Sequence, residues 1–186
     1  MDLKNGEYSS LNTRINPGKG IKMSEEAFSV HNISLDNRKQ HPSLISLWDQ
    51  ILDLTEDAWI CGFNVMKFDV PMLEKEAKRL DLEPITYQGT LDIMSFYHKE
   101  NPKTLAGAHK YYLGTPMKNA HTASGDTAAC MFILKQLCKD NRIPSCTEEL
   151  NTFMESDQNG PSHQAIFKYN PNWEEPQSSD NEPEDF

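Results

Sequence analysis

Long apolar runs are missing from this sequence. Nothing in it approaches the roughly 18 consecutive apolar residues of a membrane span, which argues against any membrane location. The N-terminus also lacks the basic-then-apolar pattern of a secretory signal peptide. Cysteine is scarce, and Cys61, Cys130, Cys138 and Cys146 include no C-x-x-C pair, so zinc and dithiol motifs find no support. Reduced thiols in a cytoplasmic protein are the expectation. Basic charge is in deficit too, with 18 Lys and Arg against 28 Asp and Glu and a net charge of −10. Six of those acids fall in residues 173–186, which hold no base, leaving 22 acids against 18 bases elsewhere. An acidic total argues against a broad basic surface that grips duplexes regardless of sequence. It leaves room for an enzyme that holds one strand end through metal ions, since a carboxylate site is itself negative.

What is present reads as one α/β domain over 1–142 followed by a mostly irregular acidic tail, 143–186. Tyr8 to Arg14 suggests a short strand, left through Asn16-Pro17-Gly18. Leu44, Leu47, Trp48, Ile51 and Leu52 recur at helical spacing and predict a helix over 43–54. The run Ala58 to Phe63 is almost continuously apolar and suits a strand buried on both faces of a parallel sheet. A helix over 69–80 follows, with Pro71 in the first turn, where a missing N–H costs nothing. Further helices are expected over 93–99, over 104–113 with Gly114 as the stop, and from about Ser124. Pro, Asn, Ser and acids dominate 155–186, which reads as disordered. Solubility is the default role of the acidic tail; self-masking or partner binding is the other.

Three segments carry chemistry. Gly62 to Asp69 leaves the buried strand and ends on an acid at a helix start, where an aspartate is most often a cap. His121 and Asp126 stand five apart at the head of an apolar helix. With six His and thirteen Asp in the chain such a pair arises easily by chance, and His31 with Asp36 is another. Glu25 to His31 precedes the first long helix, and its plain reading is a solvated turn with a packed valine.

Taken together and in this order, the segments resemble the DEDDh 3′→5′ exonucleases, the family of the epsilon proofreading subunit of bacterial replicative polymerase. The likeness runs from about residue 7 to 140. Gly6-Glu7 with Ile15 to Gly18 looks like the family's second strand and turn, and Glu26-Ala27-Phe28 with Val30-His31 like the segment that follows. Residues 62–69 look like its second motif, and Pro102 to Gly114 with Ala120 to Asp126 like its third. The resemblance implies a ribonuclease-H-like fold and two Mg²⁺ or Mn²⁺ ions about 4 Å apart, holding the scissile phosphate. Asp69 and Asp126 would be metal ligands, and His121 the base that deprotonates the attacking water. Glu26, Val30, His31 and Asn64 fall where the family meets the terminal nucleotide; Phe63, Asn64 and Phe68 also read as packing that holds the second motif. The implied partners are single-stranded DNA or RNA 3′ ends, and a polymerase or other protein.

The family's first motif, Asp-x-Glu on a central strand, has no counterpart. Asp2-Leu3-Lys4 would put a cation where a ligand belongs, and Asp2 lies only fourteen residues before Asn16. Two consequences are expected: a free edge beside the 58–63 strand, and a metal site short of carboxylates with little nuclease activity. A longer native protein would remove both. The alternative reading is a catalytically inactive module that binds nucleic acid or protein on the same fold.

Overall fold

The structure is a computed structural model and describes residues 7–31, 33–97, 104–146, 149–150 and 152–153, with the backbone alone of 166–168 and of Val30 and His31. The leading segment carries α1 (Glu25–His31), a 3-10 turn (Arg38–Gln40) and α2 (Leu44–Thr55). The Ser43 hydroxyl caps α2 by accepting from the Ser46 N–H at 3.1 Å. Leu44, Leu47 and Trp48 are then buried on one side of the helix, and the Trp48 indole donates to the Glu83 carbonyl at 2.9 Å.

β1 (Trp59–Gly62) leads through α3 (Asp69–Arg79) into β2 (Gly89–Asp92), and the two strands pair in parallel from Trp59↔Gly89 to Gly62↔Asp92. A parallel pair needs such a crossover, which α3 supplies. Beyond β2 come α4 (Ile93–Tyr97), α5 (Leu105–Leu113) and α6 (Ala123–Lys139), and β3 (Ile166–Lys168) closes the sheet order β1-β2-β3 by pairing antiparallel with β2.

Side chains alternate across β1, as the two-residue period of a strand requires. Ile60 packs with Leu44, Trp48 and Ala77 from α2 and α3. Trp59 and Cys61 pack into the larger cluster built from Ile93, Ala108, Ile133 and Leu137 of α4, α5 and α6. Helices therefore cover both faces of the sheet, and β1 and β2 end side by side at Gly62 and Asp92. Ligands of open α/β sheets bind beyond the carboxyl ends of such strands.

Several expectations change. Tyr8 to Arg14 forms no strand; Asn16 makes one bridge with Ser43, and its N–H reaches the Pro42 carbonyl at 2.8 Å. A strand is defined by a pairing partner, and among the described residues this segment has none, leaving Tyr8, Leu11 and Ile15 exposed. The 58–63 run does form a strand, but its residues are half-buried rather than buried. β1 has β2 as its one strand neighbour among the described residues, so the expected free edge is present there. Glu25 to His31 is a helix rather than a turn, and the Ser24 hydroxyl accepts from the Ala27 N–H at 3.1 Å. Asp69 is the first residue of α3, with Phe68 at the cap position, so it is not the cap. Phe68 is exposed rather than packed. β3 was not foreseen, and Ile143 and Leu150 are buried in the core, so packing continues past residue 142. Residues 169–186 lie outside the described ones. No described helix is long and apolar enough to cross a membrane, and Cys61, Cys130, Cys138 and Cys146 form no disulfide with one another.

Candidate active site

The loop after β1 is shaped by close packing. A Cβ on Gly62 would lie 2.9 Å from that of buried Val65, so the chain can fold back there only through glycine. Asn64 then takes a left-handed backbone, φ 62°, which asparagine tolerates better than most residues. Its carbonyl accepts from the N–H groups of Lys67 and Phe68, both at 3.2 Å. The result delivers Asp69 to the start of α3.

Asp92 holds this loop from below. Its Oδ1 accepts from the Asn64 N–H at 2.8 Å and the Met94 N–H at 3.0 Å. The residue is 3 % exposed, and burial raises its carboxyl above the ordinary range despite backbone donors from Asn64, Met94 and Met66. The sequence reading missed Asp92. Its one local signal was an acid directly before the apolar start of a predicted helix, Asp92 before Ile93.

The loop before α6 is equally constrained. The Thr122 hydroxyl caps the helix, accepting from the Gly125 N–H at 3.1 Å and donating to the Asn119 carbonyl at 2.8 Å. Asn119 and His121 both have left-handed backbones. Asp126 Oδ1 accepts from the His121 N–H at 3.2 Å, so the aspartate secures the backbone that carries the histidine. A Cβ on Gly125 would enter the van der Waals contact of the Asn119 carbonyl oxygen, and only glycine lets the loop lie this close.

The two loops meet at Cys130, one helical turn beyond Asp126. Its thiol is pushed up to about 11, chiefly by burial, with the charges of Asp126, Asp69 and Asp92 adding to the rise and the Phe63 N–H opposing it. Asp69 is exposed as a residue, yet its carboxyl is raised, first by loss of water around it and further by the Asp92 charge, against its own backbone N–H.

Of the residues singled out in sequence, Asp69 stands at the start of α3 and Asp126 in the first turn of α6, where it holds the His121 backbone. Glu26 is exposed on α1. The Asn64 side-chain oxygen is buried with no hydrogen-bond partner. Phe63 packs against the core as expected. The side chains of Val30 and His31 lie outside the described residues.

Among the described residues, no group of three or more His, Cys, Asp or Glu side chains is close enough to hold a metal ion. The donor chemistry still suits a hard divalent cation. Mg²⁺ commonly takes one or two carboxylates and fills its shell with water and substrate phosphate. Two carboxylates are as many as one such ion commonly takes and fewer than a two-ion set needs.

The family model described as Exonuclease matches residues 2–134. Among solved structures, the chain is similar to a 3′-exonuclease in a study of 3′-end-specific recognition of a histone mRNA stem-loop. That match has a TM-score of 0.56 and 16 % identity over 74 % of this chain and 68 % of the other. A full-length 3′-exonuclease gives a TM-score of 0.58 and 13 % identity over 75 % of this chain and 50 % of its own. The chain thus spans about two thirds of the first and half of the second. No curated protein sequence matches. At these identities the structural likeness establishes the ribonuclease-H-like exonuclease fold.

Proposed function

The chain belongs to the exonuclease family, and from that premise we propose that it hydrolyses single-stranded nucleic acid from the 3′ end as a DEDDh-type enzyme. The observation that carries the reading is the pair of constrained loops, one ending on Asp69 at the start of α3 and one in which Asp126 holds the His121 backbone, in a chain that the exonuclease family model covers over residues 2–134.

Asp69 and Asp126 would hold a divalent cation, Mg²⁺ or Mn²⁺. When bound, it would polarise the scissile phosphoryl group. His121, exposed and anchored through its backbone to Asp126, would take a proton from an attacking water on an imidazole nitrogen. The Asp126 contact and the left-handed backbone fix where that side chain leaves the loop. Asn64, in the loop before α3, and Glu26 on α1 are the described candidates for contacts to the terminal nucleotide. RNA is the substrate to test beside DNA, because a neighbour of the same fold recognises an RNA 3′ end.

Digestion of a 5′-labelled single-stranded oligonucleotide, as DNA and as RNA, in Mg²⁺ and then Mn²⁺ tests the reading. The expected result is a ladder shortening from the 3′ end, abolished by EDTA and by Asp126→Asn. A folded protein that leaves both substrates intact in both metals overturns it.

The second reading is a module that binds nucleic acid ends without cutting them. The observation in its favour is that Asp126 already closes the His121 loop, so its presence is explained without catalysis. Tight binding of the same oligonucleotides without shortening would select it.

A further inference from the structure

The chain contains a stretch of 25 residues, 101–125, with no Asp or Glu, against 28 acids in the whole sequence. It ends at the candidate site, with His121 near its close. Within its described part, from Thr104 onward, α5 and the loop to α6 carry exposed Lys110 and Lys118. Beside Lys110 stands Tyr111, whose side chain is 54 % exposed.

Tyr111 is unusual in how it is held. Its ring lies 5.6 Å from that of Tyr97 and 5.0 Å, edge-on, from that of Tyr112. Tyr97 is buried, so the outer ring rests on a fixed base. Tyr112 is fixed in turn, donating its hydroxyl to the Phe96 carbonyl at 3.2 Å. The exposed Arg142 guanidinium lies 5.6 Å over the Tyr112 ring. A rigid aromatic surface ordered before binding, bordered by cations, suits an unstacked base and its phosphate. A duplex offers no free base face, so the chemistry selects a single strand.

We propose that the surface formed by α5 and the loop leading to His121, whose own residues include no acid, is a track for single-stranded nucleic acid, with exposed Tyr111 as its base-stacking platform. The proposal rests on the exonuclease reading and extends it, adding a contact for the strand upstream of its 3′ end. An acidic protein could in this way hold a strand along one narrow path without a broad basic surface.

The test compares binding of a labelled dodecanucleotide and a trinucleotide, as thymidylates and as uridylates, by fluorescence anisotropy with Ca²⁺ in place of Mg²⁺. Wild type should bind the dodecamer more tightly. Tyr111→Ala should lose about 5- to 50-fold on the dodecamer, with the trinucleotide unchanged, and Tyr111→Phe should behave as wild type. Lys110→Glu, at an exposed position, should weaken the dodecamer and flatten its salt dependence. It decides the matter if Tyr111→Ala fails to fold. Trinucleotide binding with no gain from length, or a folded Tyr111→Ala or Lys110→Glu that binds the dodecamer as wild type does, overturns the track alone. Binding of neither length overturns the track together with the exonuclease reading.

Discussion

Replacing Asp92 should separate the loop of the candidate site from the sheet beneath it. The carboxylate accepts from two backbone donors on one oxygen, at 2.8 and 3.0 Å, and a third backbone donor, Met66, also reaches it. Asp92→Ala leaves those N–H groups orphaned around a residue that is 3 % exposed. Each orphan costs about 1–3 kcal/mol. Part of that loss is returned, because the raised carboxyl shows that its charged form is itself disfavoured by burial. The net destabilisation should be about 2–3 kcal/mol. Urea unfolding followed by tryptophan fluorescence reads it directly, since Trp48 is buried and Trp59 packs against the core. A variant within about 0.5 kcal/mol of wild type would refute the reasoning.

Asp92→Asn sharpens the test. Asn64 and Met94 both bond to Oδ1, so an amide oxygen in the same place can keep both while its NH₂ group turns a donor toward Met66. The cost should be smaller, about 1 kcal/mol at neutral pH. The sign of its pH dependence follows from the raised folded-state value. The folded protein keeps this proton at pH values where the unfolded chain has released it. The stabilisation is complete below the unfolded value near 4 and is lost as pH rises through the folded value. Asparagine cannot titrate, so the advantage of wild type over the variant should be greatest in acid and shrink toward neutral pH.

Asp69→Asn should leave the melting temperature at pH 7 unchanged or raised, because its carboxylate is opposed by desolvation and by Asp92, while abolishing metal-dependent cleavage; a fall of several degrees would show that Asp69 is a structural residue. Gly125→Ala should cost about 2 kcal/mol by pushing the Asn119 carbonyl and the Thr122 hydroxyl away, and calorimetry showing no loss would mean that the loop moves freely.

How much of this was legible in sequence depends on whether the signal was local. The capped helices were: Ser43, Thr104 and Gly114 end or begin α2 and α5 where side-chain and backbone chemistry dictates, and apolar spacing gave α6 its buried Ala129, Ile133 and Leu137. Relations between distant segments were not. Tyr8 to Arg14 has strand composition and finds no described partner, whereas Ile166 to Lys168 pairs with β2 from a polar surrounding that offered no cue. The sheet edge at β1 was anticipated through the resemblance, not through any property of Trp59 to Gly62 themselves.

The two His-Asp pairs make the same point about the site. His31 with Asp36 and His121 with Asp126 have identical spacing. Asp36 accepts from the Ser34 hydroxyl at 2.6 Å, and its N–H returns to that oxygen, so its described side-chain bond stays within a surface turn. Asp126 opens a 17-residue helix in which Ile133 and Leu137 are fully buried against the sheet. That burial, contributing about 1.5–3 kcal/mol for each large apolar side chain, fixes the helix relative to β1. A spacing of five residues can supply a local hydrogen bond. Only the core behind it can fix that bond relative to the strand whose loop leads to Asp69, and that is what distinguishes a candidate site from a turn.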